Sequence, residues 1–232
     1  LKSNLAVATG TAMSRITGLV RVAVLGAVLG APSALADAYD LANGTPNMIY
    51  ELLLGGVLSS SLVPLFTRLR EEKDDEGTSA VVTVSVLVMA AITAAAIAAA
   101  PLVFRLYSLL TSAALVAGKY PEDGTLLARI FLVQIFFYGL NALATALLNS
   151  RKRFFAAAWV PTLANVVTIA SLFLVSGTID HAHPTLDDVL GNQRLQWVLG
   201  AGATAGIAVM AIALLPSLIA ARVRLRFKPD FR

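Results

Sequence analysis

Residues 5–29 have the sequence LAVATGTAMSRITGLVRVAVLGAVL, and residues 35–66 have the sequence LADAYDLANGTPNMIYELLLGGVLSSSLVPLF. Both stretches exceed the roughly 20 residues that a helix needs to cross a bilayer. The charged residues inside them are Arg15, Arg21, Asp37, Asp40 and Glu51. A single central arginine opposes insertion by about 2.5–3.5 kcal/mol. A chain that tolerates this cost is expected to use its charges in a cavity between helices.

The composition is that of an integral membrane protein. The 232 residues are 57% hydrophobic and only 14% charged, whereas soluble domains carry about 25% charged residues. Cysteine is absent, which excludes a disulfide framework or a thiolate metal site. The net charge of +4 is explained by its distribution along the chain, so we expect no nucleic-acid partner.

Apolar segments of about 20 residues or more predict an all-α bundle of six transmembrane helices. The predicted segments are 5–29, 35–66, 79–104, 125–149, 155–176 and 196–221. The second is longer than one crossing needs, and Gly44-Thr45-Pro46 predicts a kink or break in its middle. Residues 222–232 alternate basic and bulky side chains and are expected to lie at the cytoplasmic membrane surface.

The positive charges predict the orientation. If the N-terminus is cytoplasmic, 12 lysines and arginines fall on the cytoplasmic side and four on the opposite side. This bias predicts a multi-pass protein with both ends in the cytoplasm. Many transporters consist of two six-helix halves, and the sequence is expected to be one lobe of such a protein, poorly stable without the other.

A polar stripe follows the second segment. Asp37, Asp40, Gly44, Asn47 and Glu51 are spaced so that they share one face of a helix. In lipid, such a stripe must face protein or water. The alternative is that the two aspartates lie in the outer interface and that Asn47 only bonds to a neighbouring helix.

The first segment combines small residues with arginine. Gly10, Ser14 and Gly18 form a stripe that allows close helix packing or leaves room for a ligand. Arg15 and Arg21 lie about 120° apart around the helix axis. Their planar guanidinium groups suit phosphate or carboxylate. Alternatively, they pair with the acidic residues of the second segment.

Two further segments carry polar residues at helical spacing, namely Gln134, Tyr138, Asn141 and Thr145 in the fourth and Pro161, Asn165 and Thr168 in the fifth. They either line the same cavity or form hydrogen bonds between helices. The chain has no phosphate-binding P-loop, HExxH zinc motif or Ser/His/Asp arrangement. We therefore expect a protein that is not an enzyme and that has no cofactor or metal.

Several motifs resemble those of the MurJ/MviN-type lipid II flippases of the MOP exporter superfamily. Residues 14–21 resemble the family motif SRxxGxxR, residues 36–39 resemble ADAF/Y, and Pro46-Asn47 matches the family's PN. The match continues through Gly56, Val63-Pro64, residues 148–154 and residues 161–165. Residues 47–56 resemble the actinobacterial branch.

The resemblance implies a flippase that moves the undecaprenyl-diphosphate-linked peptidoglycan precursor from the inner to the outer leaflet of the bacterial cell membrane. It implies alternating access and a central cationic cavity in which Arg15 and Arg21 meet the diphosphate. Asp37, and with it Asp40, would contribute to a gate. The other expected substrate-binding residues are Ser14, Asn47, Tyr50, Glu51 and Asn165. The expected partners are the lipid-linked precursor, membrane lipids, the second lobe and cell-wall synthesis proteins.

The sequence departs from the family pattern at three positions. Many members have an arginine where this chain has Tyr50, an acid in place of Gly55, and an aspartate in place of Val22. Two other functions stay open: export of another lipid-linked oligosaccharide or small molecule, and a non-transporting scaffold for cell-wall synthesis. A membrane glycosyltransferase is less favoured because no convincing acidic loop motif is present.

Overall fold

The computed structural model describes residues 2–31, 33–52, 56–102, 105–106, 121–178 and 182–230. The regular secondary structure of these residues is helical throughout, which confirms the predicted fold class. The helices are α1 (Lys2–Leu29), α2 (Ala34–Tyr50), α3 (Gly56–Glu71), α4 (Asp75–Ala98), α5 (Pro121–Leu132), α6 (Gln134–Ser150), α7 (Phe155–Phe173), α8 (Leu186–Gly191), α9 (Gln193–Ile212) and α10 (Leu215–Ala220).

Five described segments are long and apolar enough to cross a membrane. They are Leu5–Leu29, Asp75–Ala98, Gly124–Ser150, Phe155–Phe173 and Gln193–Ala220. The predicted segment 35–66 is instead divided between α2 and α3, which have 17 and 16 residues. Residues 53–55 lie outside the described part of the chain, so the prediction of six long spanning helices is corrected only to this extent: the described residues of this segment form two shorter helices.

The division does not fall at the predicted position. Helix α2 runs without interruption through Pro46, which is buried, and ends at Tyr50. Glu51 and Leu52 then adopt a π-helical turn in which the Glu51 N–H points at the carbonyls of Asn47 and Met48. Proline is tolerated inside membrane helices when neighbouring groups satisfy the freed backbone atoms, so the sequence signal at Pro46 did not locate the end of the helix.

A tight connection joins α1 to α2. Gly30 follows the last residue of α1 with φ of +76°, a left-handed conformation that only glycine adopts without steric cost. The Ala31 N–H donates to the Gly26 carbonyl at 2.9 Å, and the Ser33 hydroxyl then caps α2 by accepting from the Ala36 N–H at 3.1 Å. These two caps place α2 directly beside the end of α1.

Helix α7 packs between α1 and α9, and small residues allow the close approach. A Cβ atom at Gly206 of α9 would lie 2.6 Å from the Thr168 Oγ1 and 2.9 Å from the Ala164 carbonyl oxygen of α7. Gly200 is similarly close to Ile130 of α5. Van der Waals packing of small residues drives helix association in lipid, so these contacts fix α9 against α5 and α7.

The chain after α10 turns back across the bundle and is bound to the start of α4. The Arg226 N–H donates to the Ser79 hydroxyl at 3.2 Å, and the Lys228 N–H donates to the Thr83 hydroxyl at 3.1 Å. The Lys228 ammonium pairs with the Glu76 carboxylate at 2.6 Å. The segment predicted to lie at the membrane surface is therefore an extended strap over the end of the bundle.

Basic loops meet at this same end of the helices. Arg151, in the turn between α6 and α7, lies close to Arg70 of α3 and to Asp75 of α4. Its burial, and then the neighbouring Arg70 charge, lower the pKa of Arg151 below its ordinary value. The loops that carry most of the positive charge are thus gathered together.

Candidate functional site

The polar stripe of α2 faces away from the packed bundle. The side chains of Asp37, Asp40 and Glu51 are exposed, and Asn47 is partly buried. A Cβ atom at Gly44 would have no neighbour within 4 Å. The opposite side of α2 is packed, as Leu35 and Tyr39 are only 4% and 5% exposed. Because charged groups in a membrane avoid lipid, this stripe faces water or another part of the protein.

The two aspartates proposed for a gate lie near the start of α2. Asp37 belongs to the first turn, directly after the Ser33 cap. A carboxylate at this position also stabilises the helix through the positive end of its dipole. Asp40, one turn further, is exposed, and its charge acts on the adjacent Tyr39 hydroxyl. The structure therefore gives Asp37 a local structural role that is compatible with a further one.

The two arginines of α1 have different surroundings. Arg15 is exposed, whereas Arg21 is partly buried, and its charge acts on the hydroxyl groups of Tyr39 in α2 and Tyr138 in α6. Within the described residues, neither guanidinium group takes part in an ion pair. The pairing with the acids of the second segment that the sequence left as an alternative is therefore absent among the described residues.

The small-residue stripe of α1 serves close packing against α7. A Cβ atom at Gly10 would lie 2.6 Å from the Trp159 ring, and the Trp159 indole N–H donates to the Ala6 carbonyl at 3.0 Å. Of the two uses that the sequence left open for this stripe, the structure shows helix packing.

Ser14 and Asn165, which were both expected to bind substrate, meet in this α1–α7 contact. The Asn165 amide donates to the Ser14 carbonyl at 3.1 Å and to the Thr17 hydroxyl at 3.0 Å. Asn165 is only 9% exposed. In this structure its amide joins two helices, as polar side chains in membranes commonly do.

The remaining expected site residues gather at the end of α2. The Asn47 amide donates to the Glu51 carboxylate at 3.0 Å. The Tyr50 ring stacks on the Tyr138 ring of α6 with a centroid distance of 6.2 Å and an interplanar angle of 23°. Glu51 acts electrostatically on both tyrosines, and Arg21 acts on Tyr138. The cluster therefore joins Asn47 to Glu51 and Tyr50 to Tyr138 by direct contacts, and Arg21 of α1 acts on it only through its charge.

Tyr138 is the member of this cluster that was not singled out as a site residue. The sequence signal was its place in the polar stripe of the fourth segment, together with Gln134, Asn141 and Thr145. The structure divides that stripe between two uses. Tyr138 joins the cluster beside Arg21, whereas Gln134 turns into the bundle.

Gln134 links the start of α6, directly after the interruption between α5 and α6, to two neighbouring helices. Its fully buried amide donates to the Asn43 side chain of α2 at 3.1 Å and to the Thr204 hydroxyl of α9 at 3.3 Å. The Thr204 hydroxyl in turn donates to the Ile130 carbonyl at 3.0 Å, just before the break. Neighbouring helices thus satisfy backbone groups that the interrupted span leaves open, which holds α6 and its tyrosine in register with α2.

Comparison with known proteins shows which family the chain resembles. The family model described as lipid II flippase MurJ matches residues 25–232. A lipid II flippase MurJ from Burkholderia cenocepacia is 32% identical over 171 residues, covering 72% of this chain and 32% of the relative. Another from Thermosipho africanus is 27% identical over 195 residues, covering 83% of this chain and 39% of the relative.

The matches cover most of this chain but only part of each relative. The chain spans about a third of the length of the curated relatives that it matches. The family model begins after Arg15 and Arg21 and covers all of α2 to α10. A multi-pass membrane chain matched over this range belongs to the family of the lipid II flippase MurJ.

Proposed function

We propose that this chain is the lobe of a lipid II flippase that binds the headgroup of the precursor during its passage to the outer leaflet. The observation that carries the proposal is the exposed polar stripe of α2, with Asp37, Asp40 and Glu51, together with the exposed Arg15 inside the apolar span Leu5–Leu29 of α1. Charges in membrane proteins are retained to contact a substrate, water or a partner rather than lipid. The protein is a transporter, and its task requires no bond to be made or broken.

The arginines would capture the diphosphate. A guanidinium group presents a fixed fork of N–H donors that matches phosphate oxygens. Arg21 is partly buried and near enough to Tyr39 of α2 and Tyr138 of α6 for its charge to act on them, and Arg15 is exposed on α1. With no ion pair to break within the described residues, the substrate meets cations that are already available.

Alternating access would follow from movement of this lobe against a second one. The polar face is one-sided, and the second lobe of the same protein would complete the cavity. Asp37 and Asp40, near the start of α2, would form contacts that open and close the outer side. An inside-negative potential would bias the cycle, since one elementary charge moved through 100 mV is worth about 2.3 kcal/mol.

The proposed location is the bacterial cytoplasmic membrane with the N-terminus inside. The supporting observation is that the basic loops before α4 and after α6 and α10 meet at one end of the bundle. Clustered lysines and arginines mark the cytoplasmic side of membrane proteins. Membrane lipids are then direct partners, and cell-wall synthesis proteins are candidates for contact with the loops.

Complementation tests the proposal. Cells depleted of their own lipid II flippase would receive the full-length protein that contains this chain. We expect growth and normal shape to be restored. Lysis despite a membrane level equal to that of a known flippase would contradict the proposal and favour another lipid-linked cargo or a scaffold. A membrane assay that follows lipid II in the outer leaflet separates these two outcomes.

Closing the open side of α2 should stop transport. Gly44→Trp adds a large ring where a Cβ atom has no neighbour within 4 Å, so the protein should fold while the ring occupies the proposed cavity. We expect loss of rescue with an unchanged membrane level.

Gly177→Trp provides the matched control. Gly177 also has open space around it, but it lies in the 3₁₀ turn Val175–Gly177 beyond α7. We expect its variant to support growth. Full rescue by Gly44→Trp would show that this side of α2 does not line the transport route.

A further inference from the structure

We propose that Tyr50 and Tyr138 form a binding subsite for the sugar ring next to the diphosphate of the substrate. The proposal rests on the flippase function proposed above and names the part of the substrate that this cluster would recognise. Both rings are partly accessible and come from different helices, α2 and α6. Their centroids lie 6.2 Å apart with an interplanar angle of 23°, so the two rings form one aromatic pair, of which Tyr50 directly precedes Glu51 in the chain.

The chemistry around the rings suits a carbohydrate. A pyranose ring has an apolar C–H face and a rim of hydroxyl groups. An aromatic side chain supplies apolar area, and a tyrosine adds a hydroxyl group that donates or accepts. The Glu51 carboxylate and the Asn47 amide lie beside the rings, and they offer acceptors and a donor for the hydroxyl rim.

The cluster offers the headgroup one positive and one negative side chain. Glu51 directly follows Tyr50 in the chain and accepts from the Asn47 amide at 3.0 Å, and Arg21 is near enough to Tyr138 for its charge to act on that residue. An anionic diphosphate favours the arginine and is repelled by the carboxylate. The neutral sugar that follows the diphosphate can lie next to Glu51 without this cost, so the two parts of the headgroup have separate places.

The position of the rings is held by the surrounding structure. The Gln134 amide, one turn before Tyr138, bonds α6 to Asn43 of α2 at 3.1 Å. Further along, Tyr39 of α2 packs edge-on against Phe131 of α5 at a centroid distance of 5.7 Å. These contacts fix α2 against the α5–α6 span and leave the tyrosine pair preorganised, which lowers the entropic cost of binding.

Binding of two lipids to the purified full-length protein tests the subsite. The probes are undecaprenyl diphosphate linked to the disaccharide-peptide and undecaprenyl diphosphate without sugar. We expect Tyr138→Leu to weaken binding of the sugar-bearing lipid about tenfold, equivalent to about 1.4 kcal/mol, and to leave binding of the sugar-free lipid within about twofold. Tyr50→Leu should act in the same direction, and Tyr138→Phe should lose less because it keeps the ring.

Phe137→Leu is the control, because it also removes an aromatic ring from α6. The Phe137 ring contacts Phe136 rather than Tyr50. It should bind both lipids as the intact protein does. Equal weakening of both lipids by the tyrosine variants, or no weakening of either, would overturn the subsite while leaving the flippase proposal in place. An intact protein that binds neither lipid would overturn the proposed function and the subsite with it.

Discussion

Arg15→Ala and Arg21→Ala are each expected to abolish rescue of cells that lack their own lipid II flippase. The two guanidinium groups belong to the apolar span Leu5–Leu29 of α1, and neither has an ion-pair partner within the described part of the chain. Removing either would take away a fork of donors for the diphosphate, which hydrophobic contacts cannot replace. Growth under depletion, at matched membrane levels, is the measurement.

Failure to insert would not explain such a loss. A central arginine opposes membrane insertion by about 2.5–3.5 kcal/mol, whereas alanine is nearly neutral. The alanine variants should therefore reach the membrane at least as well as the intact protein. Full rescue by both Arg15→Ala and Arg21→Ala would show that neither arginine is needed for transport.

Conservative variants distinguish charge from geometry. Arg21→Lys keeps the positive charge but loses the planar fork, and we expect partial rescue at best. Arg15 is exposed, whereas Arg21 is partly buried, so the lysine variant of Arg15 should retain more activity. Arg194→Ala is the control, because Arg194 lies in the first turn of α9 rather than in the middle of a span. It should grow like the intact protein.

The sequence was sufficient for the features that depend on local composition. Length and hydropathy identified five of the six predicted segments as candidate spans, because each of these apolar runs is long enough to cross a bilayer by itself. The spacing from Asp37 to Glu51 identified a polar face of α2, because a helix places such residues on one side whatever its neighbours are. The structure shows that face to be exposed.

Contacts between helices were beyond this reasoning. Helical periodicity says that Ser14 and Asn165 lie on a face, but it does not say that the two faces meet. For the same reason, Tyr138 was seen as part of a polar stripe and not as the partner of Tyr50. The end of α2 was misplaced because Pro46 can be accommodated by its surroundings, and only the packed structure shows that it is.

The contact between α7 and α9 gives the largest expected effect on stability. A Cβ atom at Gly202 of α9 would overlap the Ser171 side chain of α7, whereas the Ser171 Cα lies 3.7 Å away. Gly202→Ala should therefore destabilise the protein by about 1–3 kcal/mol, the usual cost of overpacking. Thermal unfolding of the full-length protein in detergent measures the effect as a lower melting temperature.

A second substitution, in α7, should relieve the overlap that Gly202→Ala creates. Ser171→Gly removes the atoms that the new methyl group would strike, at a cost of about 1 kcal/mol for glycine inside a helix. The double variant should then be about as stable as Ser171→Gly alone, and the two changes should not add. Strictly additive losses would mean that α7 and α9 separate easily at this point.

Gly44→Ala completes the comparison, because the same substitution is made on the open side of α2. A Cβ atom there meets nothing within 4 Å, and alanine is favoured over glycine in a helix by roughly 0.8–1.0 kcal/mol. The variant should therefore be slightly more stable than the intact protein. A lower melting temperature for Gly202→Ala and a higher one for Gly44→Ala would show that α9 is fixed against α7 while the polar face of α2 borders open space. A substrate-binding face requires such open space.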